Sequence, residues 1–130
     1  LSDLYGSLRS TVGGDVELGR YAGFFEIEDE WMHGADLNSL ATHLDYYTVI
    51  AYESTRREIV QRVRAADQLT PDVPLHVGIL PGPPAINDPG TVTDAVKGLA
   101  DDGVERVSFY NYGLLPERNL DWIATATEPY

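Results

Sequence analysis

The chain has 130 residues, of which 43% are hydrophobic, and its 21 acidic and 9 basic residues give a formal net charge of −12. This hydrophobic content excludes a disordered chain, and the acidic surface disfavours nucleic acid as a partner because it repels phosphates. The absence of cysteine excludes disulfides and thiolate sites. The sequence contains no run of about 18 apolar residues, so it predicts no membrane-spanning helix.

The predicted elements alternate along the chain. A first helix, Leu1–Thr11, has apolar residues at helical spacing and ends at a Gly-Gly pair. Four segments rich in β-branched and aromatic residues are predicted as strands: Val16–Phe25, Tyr46–Tyr52, Leu75–Leu80 and Val104–Tyr112. The other predicted helices are Asp36–Leu44, Thr55–Leu69, Thr91–Asp101 and Asn119–Thr127, the last with Asn119 or Asp121 as its cap.

The repeat length indicates the fold class. The predicted strands begin about every 30 residues, and a (β/α)8 barrel of about 250 residues allots about 31 residues to each unit. Alternating strands and helices imply a parallel sheet with right-handed crossovers. We therefore predict one α/β domain over residues 1–130, with parallel βα units forming half of a TIM (β/α)8 barrel of four strands and about five helices. The alternative is a complete open sheet of the flavodoxin-like kind.

Candidate site residues follow from this fold, because parallel α/β sites lie at the carboxyl ends of the strands. Glu53 directly follows the second predicted strand, where a carboxylate could accept a proton, orient a sugar hydroxyl, bind a metal or stabilise the next helix. Tyr52, Tyr110 and Tyr112 could stack on sugar rings or pack in the core. Asn111 could bind a ligand or hold its loop.

An acidic loop, residues 26–36, follows the first predicted strand and begins with Glu26. Within it, Glu30 and His33 have the E-x-x-H spacing of di-metal bundles, but a solvated acidic loop or lid is the favoured interpretation. The proline-rich segment Pro81–Pro89 lacks the glycine spacing and the lysine of a phosphate loop, and no G-x-S-x-G motif occurs. The sequence therefore predicts neither a metal site nor a cofactor.

Three predicted strands end in the segments VIAYES, LHVGILPGPP and RVSFYNYG. Over roughly residues 46–113 they resemble the sixth, seventh and last strands of the family 18 chitinase-like glycoside hydrolases. The resemblance implies that Tyr52 and Glu53 match the pair that contacts the substrate. It also implies that Tyr110 or Tyr112 matches the aromatic residue that stacks on the sugar.

The general-acid motif of that family, D-x-x-D-x-D-x-E on the fourth strand, is not found in this sequence. We therefore expect a C-terminal half-barrel of a glycoside hydrolase-like protein, a piece of a larger barrel that positions carbohydrate and is inactive alone. The residues expected to position the sugar are Tyr52, Glu53, Asn111, Tyr112 and Glu26. Activity would require the full barrel, since ordinary glycoside hydrolysis needs two carboxylates.

Two other hypotheses stay open. One is a small non-catalytic flavodoxin-like α/β domain with a binding or regulatory role. The other is a different barrel enzyme, although a Schiff-base aldolase needs a strand-borne lysine and Lys97, the only lysine, lies on a predicted helix.

A half barrel leaves open sheet edges, so we expect a homo-oligomer. We expect it to bind a small molecule or carbohydrate, with no nucleic acid and no membrane as partners.

No signal peptide is visible, which favours the cytoplasm, and the first residue, Leu1, suggests a longer parent chain. A dispersed acidic excess with a single lysine is similar to proteins of salt-loving archaea, where molar salt screens self-repulsion.

Overall fold

The computed structural model describes residues 1–22 and 36–130. Its strands are β1 (Gly19–Ala22), β2 (Tyr46–Ile50), β3 (Leu75–Ile79) and β4 (Arg106–Phe109). Its helices are α1 (Ser2–Val12), α2 (Leu37–Ala41), α3 (Arg56–Leu69), α4 (Pro89–Asp101) and α5 (Glu117–Thr127), with a short 3-10 turn at Tyr112–Leu114 before α5. In these two ranges, no helix has the length and apolar character needed to cross a bilayer.

The four strands of the described ranges form one parallel sheet in the order β1-β2-β3-β4. Each strand lies beside the next one along the chain, as in a (β/α)8 barrel, and right-handed crossovers place the connecting helices on the same face. Accordingly, α3 packs against α4 and α4 packs against α5. The predicted α/β class, with four parallel strands and five helices, is confirmed. A flavodoxin-like sheet, whose strand order reverses within the sheet, is not the arrangement found.

Side-chain alternation along the strands gives the sheet two different faces. The face toward the helices is the hydrophobic core, and its fully buried strand residues are Tyr47, Val49, Val77 and Ile79. The Tyr47 hydroxyl donates to the Leu37 carbonyl at 2.7 Å, which satisfies the polar tip of a buried ring. The opposite face, here called the open face, carries Tyr21, Tyr46, Thr48, Ile50, His76, Gly78, Arg106 and Ser108.

Three helices begin at a side-chain cap that accepts a hydrogen bond from a backbone amide of the first turn. Asp36 accepts from the Ser39 amide at 3.1 Å and Asp88 from the Thr91 amide at 2.9 Å. Thr55 accepts from the Glu58 amide at 3.3 Å. Each such cap contributes about 1 kcal/mol, and the three caps fix where α2, α3 and α4 begin.

The last helix begins differently from the prediction. It follows Pro116, it has no side-chain cap, and Asn119 lies inside the helix and is buried. The expectation that Asn119 or Asp121 caps α5 is therefore wrong. Pro116 holds the extended backbone that precedes the helix, and a proline ring fixes that backbone without a capping side chain.

The first helix buries less apolar surface than the helical spacing of its apolar residues predicts. Leu1, Leu4 and Leu8 are exposed, and α1 contributes no fully buried residue. The helix is held by Tyr5, which is partly buried against the core, and by Arg9, which donates to the His43 carbonyl at 3.1 Å. Leu4 and Leu8 of α1 stay exposed in the described part of the chain.

Acidic residues at the amino ends of two strands tie helices to the sheet. Asp45, just before β2, accepts a hydrogen bond from the Leu18 amide at 2.6 Å and pairs with Arg9 of α1. Asp102, in the connection before β4, accepts from Arg64 of α3 at 2.6 and 2.7 Å. These contacts keep the pKa of both carboxyls below its usual range, through the Leu18 amide and Arg9 for Asp45 and through Arg64 for Asp102.

Candidate functional site

The carboxyl end of the open face forms a concave space of about 530 Å³, here called the tyrosine depression. It is lined by Tyr21, Ile50, Tyr52, Ser108, Phe109 and Tyr110. Parallel α/β folds place their ligand sites at this end of the sheet. The depression therefore lies where the predicted fold puts a binding site.

One wall of the tyrosine depression is a pair of aromatic rings. Tyr52, two residues beyond β2, stacks on Tyr110, which follows β4, with ring centroids 5.4 Å apart and planes inclined by 23°. Burial, and then the neighbouring Tyr110 and Tyr21, raise the pKa of Tyr52. Its hydroxyl is therefore protonated at neutral pH and is able to donate a hydrogen bond.

Gly78 leaves the middle of the open face without a side chain. Gly78 of β3 pairs in register with Ile50 on one side and with Ser108 on the other. A β-carbon at Gly78 would lie 3.4 Å from the Ser108 hydroxyl oxygen, so alanine would fit there but a large side chain would project into the open face. The depression thus depends partly on a missing side chain between two strands.

Glu53 lies apart from the lining of the tyrosine depression. Its Oε1 accepts a hydrogen bond from Arg62 of α3, and its other oxygen is buried without a partner among the described residues. Tyr52 lines the depression, whereas the Glu53 carboxylate is directed to Arg62 and does not line it. The substrate-contacting role of Glu53 stays a prediction.

The other predicted site residues also lie away from the depression or outside the described ranges. The Asn111 side chain accepts from the Gly113 amide at 3.3 Å and so holds the turn after β4. Tyr112 is exposed and does not line the depression. Glu26, together with the Glu30–His33 pair, lies outside the described residues.

The amino end of the open face holds a second polar cluster. The Tyr46 ring stacks on His76 with centroids 4.0 Å apart, and Arg106 donates to Glu17 at 3.0 and 3.4 Å. Burial first, and then the charge of Arg106, lower the pKa of His76. The cluster fills this end of the open face with the chain's own side chains, and the tyrosine depression at the other end stays open.

Four lining residues, Tyr21, Ile50, Ser108 and Phe109, were not among the sequence candidates. All four belong to strands, so a search restricted to the residues that follow the strands overlooks them. The alternation of side-chain direction along a strand could have identified Tyr21. Ala22 is buried on the helix side, so the preceding residue points to the opposite face. Tyr110, which the sequence offered for sugar stacking, does line the depression.

Comparison of the chain with protein-family models, with curated proteins and with solved structures finds no match.

Proposed function

We propose that this chain binds carbohydrate in the tyrosine depression, as the C-terminal half-barrel of a glycoside hydrolase-like protein. The observation that carries the proposal is the Tyr52–Tyr110 ring wall at the carboxyl end of a parallel sheet in barrel order. The apolar face of a sugar ring packs on aromatic rings, and its hydroxyls bind to tyrosine tips. Both kinds of group line this space.

The composition of the lining favours an uncharged sugar. Three tyrosines and one serine supply hydroxyl groups, whereas the lining includes no formally charged side chain from the described residues. The chain also carries a net charge of −12, which repels phosphorylated or carboxylated sugars. An uncharged sugar ring of the kind found in chitin-like oligosaccharides needs no charged partner in the lining and is not repelled by the net charge of the chain.

The proposal is binding without hydrolysis by this chain. Ordinary glycoside hydrolysis needs two carboxyl groups roughly 5 to 10 Å apart, on either side of the scissile bond. The lining of the depression includes no carboxylate from the described residues. Glu53, the nearest candidate in sequence, is engaged with Arg62.

Titration with the uncharged trisaccharide of N-acetylglucosamine, followed by calorimetry and by amide NMR shifts, tests this proposal. We expect saturable binding with shifts that centre on Tyr21, Tyr52 and Tyr110. Tyr110→Ala should weaken binding about threefold to tenfold, because an aromatic stacking contact contributes about 0.5–1.5 kcal/mol. The control Tyr130→Ala, which removes an exposed ring that does not line the depression, should leave affinity unchanged.

Two outcomes would overturn the proposal. One is an absence of saturable binding to neutral oligosaccharides while the protein is folded. The other is equal loss of affinity in the Tyr110 and Tyr130 variants, because the depression would then not be the binding site.

A further inference from the structure

The exposed large apolar side chains of the described chain are confined to its two outer units. All of them lie in residues 1–21 or 110–130, whereas residues 36–109 expose none. They are Leu1, Leu4, Leu8, Val16, Tyr21, Tyr110, Tyr112, Leu114 and Tyr130. Among the described residues, the inner units are covered by their neighbours, and each outer unit lacks a neighbour on one side.

These outer units coincide with the two edges of the sheet. Here the β1 edge means α1 with β1, and the β4 edge means β4 with residues 110–127. In the described chain, β1 pairs with β2 and β4 pairs with β3, so each outer strand leaves one row of backbone donors and acceptors unpaired. Unpaired edges of this kind recruit another strand unless something covers them.

We propose that, when this 130-residue chain is present on its own, a second copy takes the place of the remaining half of the barrel and covers both edges, with β1 of each copy beside β4 of the other. Because all four strands are parallel and in sequential order, a two-fold axis along the strands makes both new pairings parallel and equivalent. The eight strands then follow one another around a closed ring, and closure removes every sheet edge. Both tyrosine depressions open at the same end of this ring.

The charges next to the edges favour the same pairing. Glu17 lies just before β1 and Arg106 lies in β4, and the two side chains already attract each other within one copy. Side-by-side packing of β1 and β4 from different copies brings a carboxylate and a guanidinium together again at each junction. An association of two β1 edges would instead bring like charges together.

Salt should strengthen the pairing. Each copy carries a net charge of −12, so two copies repel each other in dilute buffer. At molar salt the screening length falls to about 3 Å, while burial of leucine and tyrosine side chains is not weakened. The pairing is therefore expected to be weak at low salt and strong at molar salt.

Light scattering coupled to size exclusion, in low-salt and in molar-salt potassium chloride, measures the mass directly. We expect twice the 14.3 kDa chain mass at molar salt. A mass of 14.3 kDa in both buffers, at every protein concentration tested, would overturn the proposal. Sugar binding is measured separately, so a monomer that binds sugar contradicts only the pairing, and a dimer that does not bind sugar contradicts only the proposed function.

Paired charge substitutions identify the edges involved. Leu4→Asp with Leu8→Asp alters the β1 edge, and Tyr112→Asp with Leu114→Asp alters the β4 edge. Each variant should weaken self-association about tenfold or more, because the lost apolar contacts contribute at both junctions. Because all four side chains are exposed, the folded monomer should be unaffected, which circular dichroism verifies.

The matched control places the same added charge on an inner unit, as Ala65→Asp with Gln68→Asp on the exposed side of α3. It should leave self-association unchanged. An equal mixture of the β1-edge and β4-edge variants retains one intact junction, so it should recover part of the dimer that neither variant forms alone. Dissociation by one variant only, or no recovery in the mixture, would contradict the β1-to-β4 arrangement.

Discussion

Arg106 of β4 donates to Glu17, which precedes β1, at 3.0 Å, although β1 and β4 are the two outer strands of the sheet. Three strand spacings of a flat sheet amount to about 14 Å. The two long side chains therefore bridge the sheet across its open face, which also carries the stacked Tyr46 and His76. The ion pair links the first and last strands without a backbone hydrogen bond between them.

We expect stability to fall on mild acidification because of His76. Burial and Arg106 lower its pKa in the folded protein, although Glu17 and Glu105 act in the other direction. The unfolded chain therefore binds more protons as the pH falls below the ordinary histidine value of about 6.5, which favours unfolding until the lowered pKa of His76 has been passed. In His76→Gln the stability measured by urea denaturation should depend less on pH over this window, and a slope as steep as in the wild type would contradict this assignment.

The charge of Arg106 should be visible directly in the titration of His76. Arg106→Gln removes a nearby positive charge, so the pKa of His76 should rise, as followed by NMR of the imidazole ring. The control Arg118→Gln alters an exposed arginine of α5 and should not move it. An unchanged pKa in Arg106→Gln would mean that burial accounts for the whole effect.

Asp45→Asn should destabilise the fold by about 1 kcal/mol at neutral pH, because it removes the carboxylate that binds the Leu18 amide and Arg9. The estimate is small because the Asp45 side chain is partly exposed. Since the pKa of Asp45 is lowered in the folded state, its contribution is complete above about pH 4 and is lost as the pH falls through that lowered pKa. The difference from wild type should therefore vanish in acid, and Asp67→Asn on α3 serves as the exposed control.

Asn119→Ala should destabilise the fold by about 1–3 kcal/mol, measured by urea denaturation. The Asn119 amide donates to the carbonyl of buried Pro81 at 2.7 Å, and alanine leaves that carbonyl without its partner. Asn119→Asp should cost more at neutral pH, because it places a carboxylate against a carbonyl oxygen. If both variants are as stable as wild type, the contact does not anchor α5.

Gly19→Ala should destabilise the fold by about 1–3 kcal/mol, because a β-carbon there overlaps the Tyr46 ring. The ring cannot simply move away, since it is stacked on His76. In a Tyr46→Ser background the same substitution should cost much less, and a double-mutant cycle measures this difference. Equal costs in the two backgrounds would show that the ring is not the obstacle.

The sequence predicted the architecture because each βα unit carries its own signals. Thr55 precedes α3 and caps it, and Leu75 begins both the predicted and the observed β3. Strand ends were less well defined: β4 is Arg106–Phe109, whereas the prediction extended over residues 104–112. Aromatic residues continue past this strand, and composition does not mark where backbone pairing stops.

The site could be only partly predicted, because side-chain direction decides what faces a ligand. The pair Tyr52-Glu53 looks like one functional unit in the sequence, yet only one of the two residues lines the tyrosine depression. Tyr52 does so, whereas Glu53 pairs with Arg62 of the following helix, nine residues further along. The strand sequence does not indicate this ion pair.

The Tyr46–His76 stack and the Glu17–Arg106 bridge together occupy the amino end of the open face. A ligand in the tyrosine depression therefore cannot extend along the strands in that direction without displacing these side chains. Its remaining directions are outward from the sheet and beyond the carboxyl end, so an elongated ligand would have to leave the depression by one of those two directions.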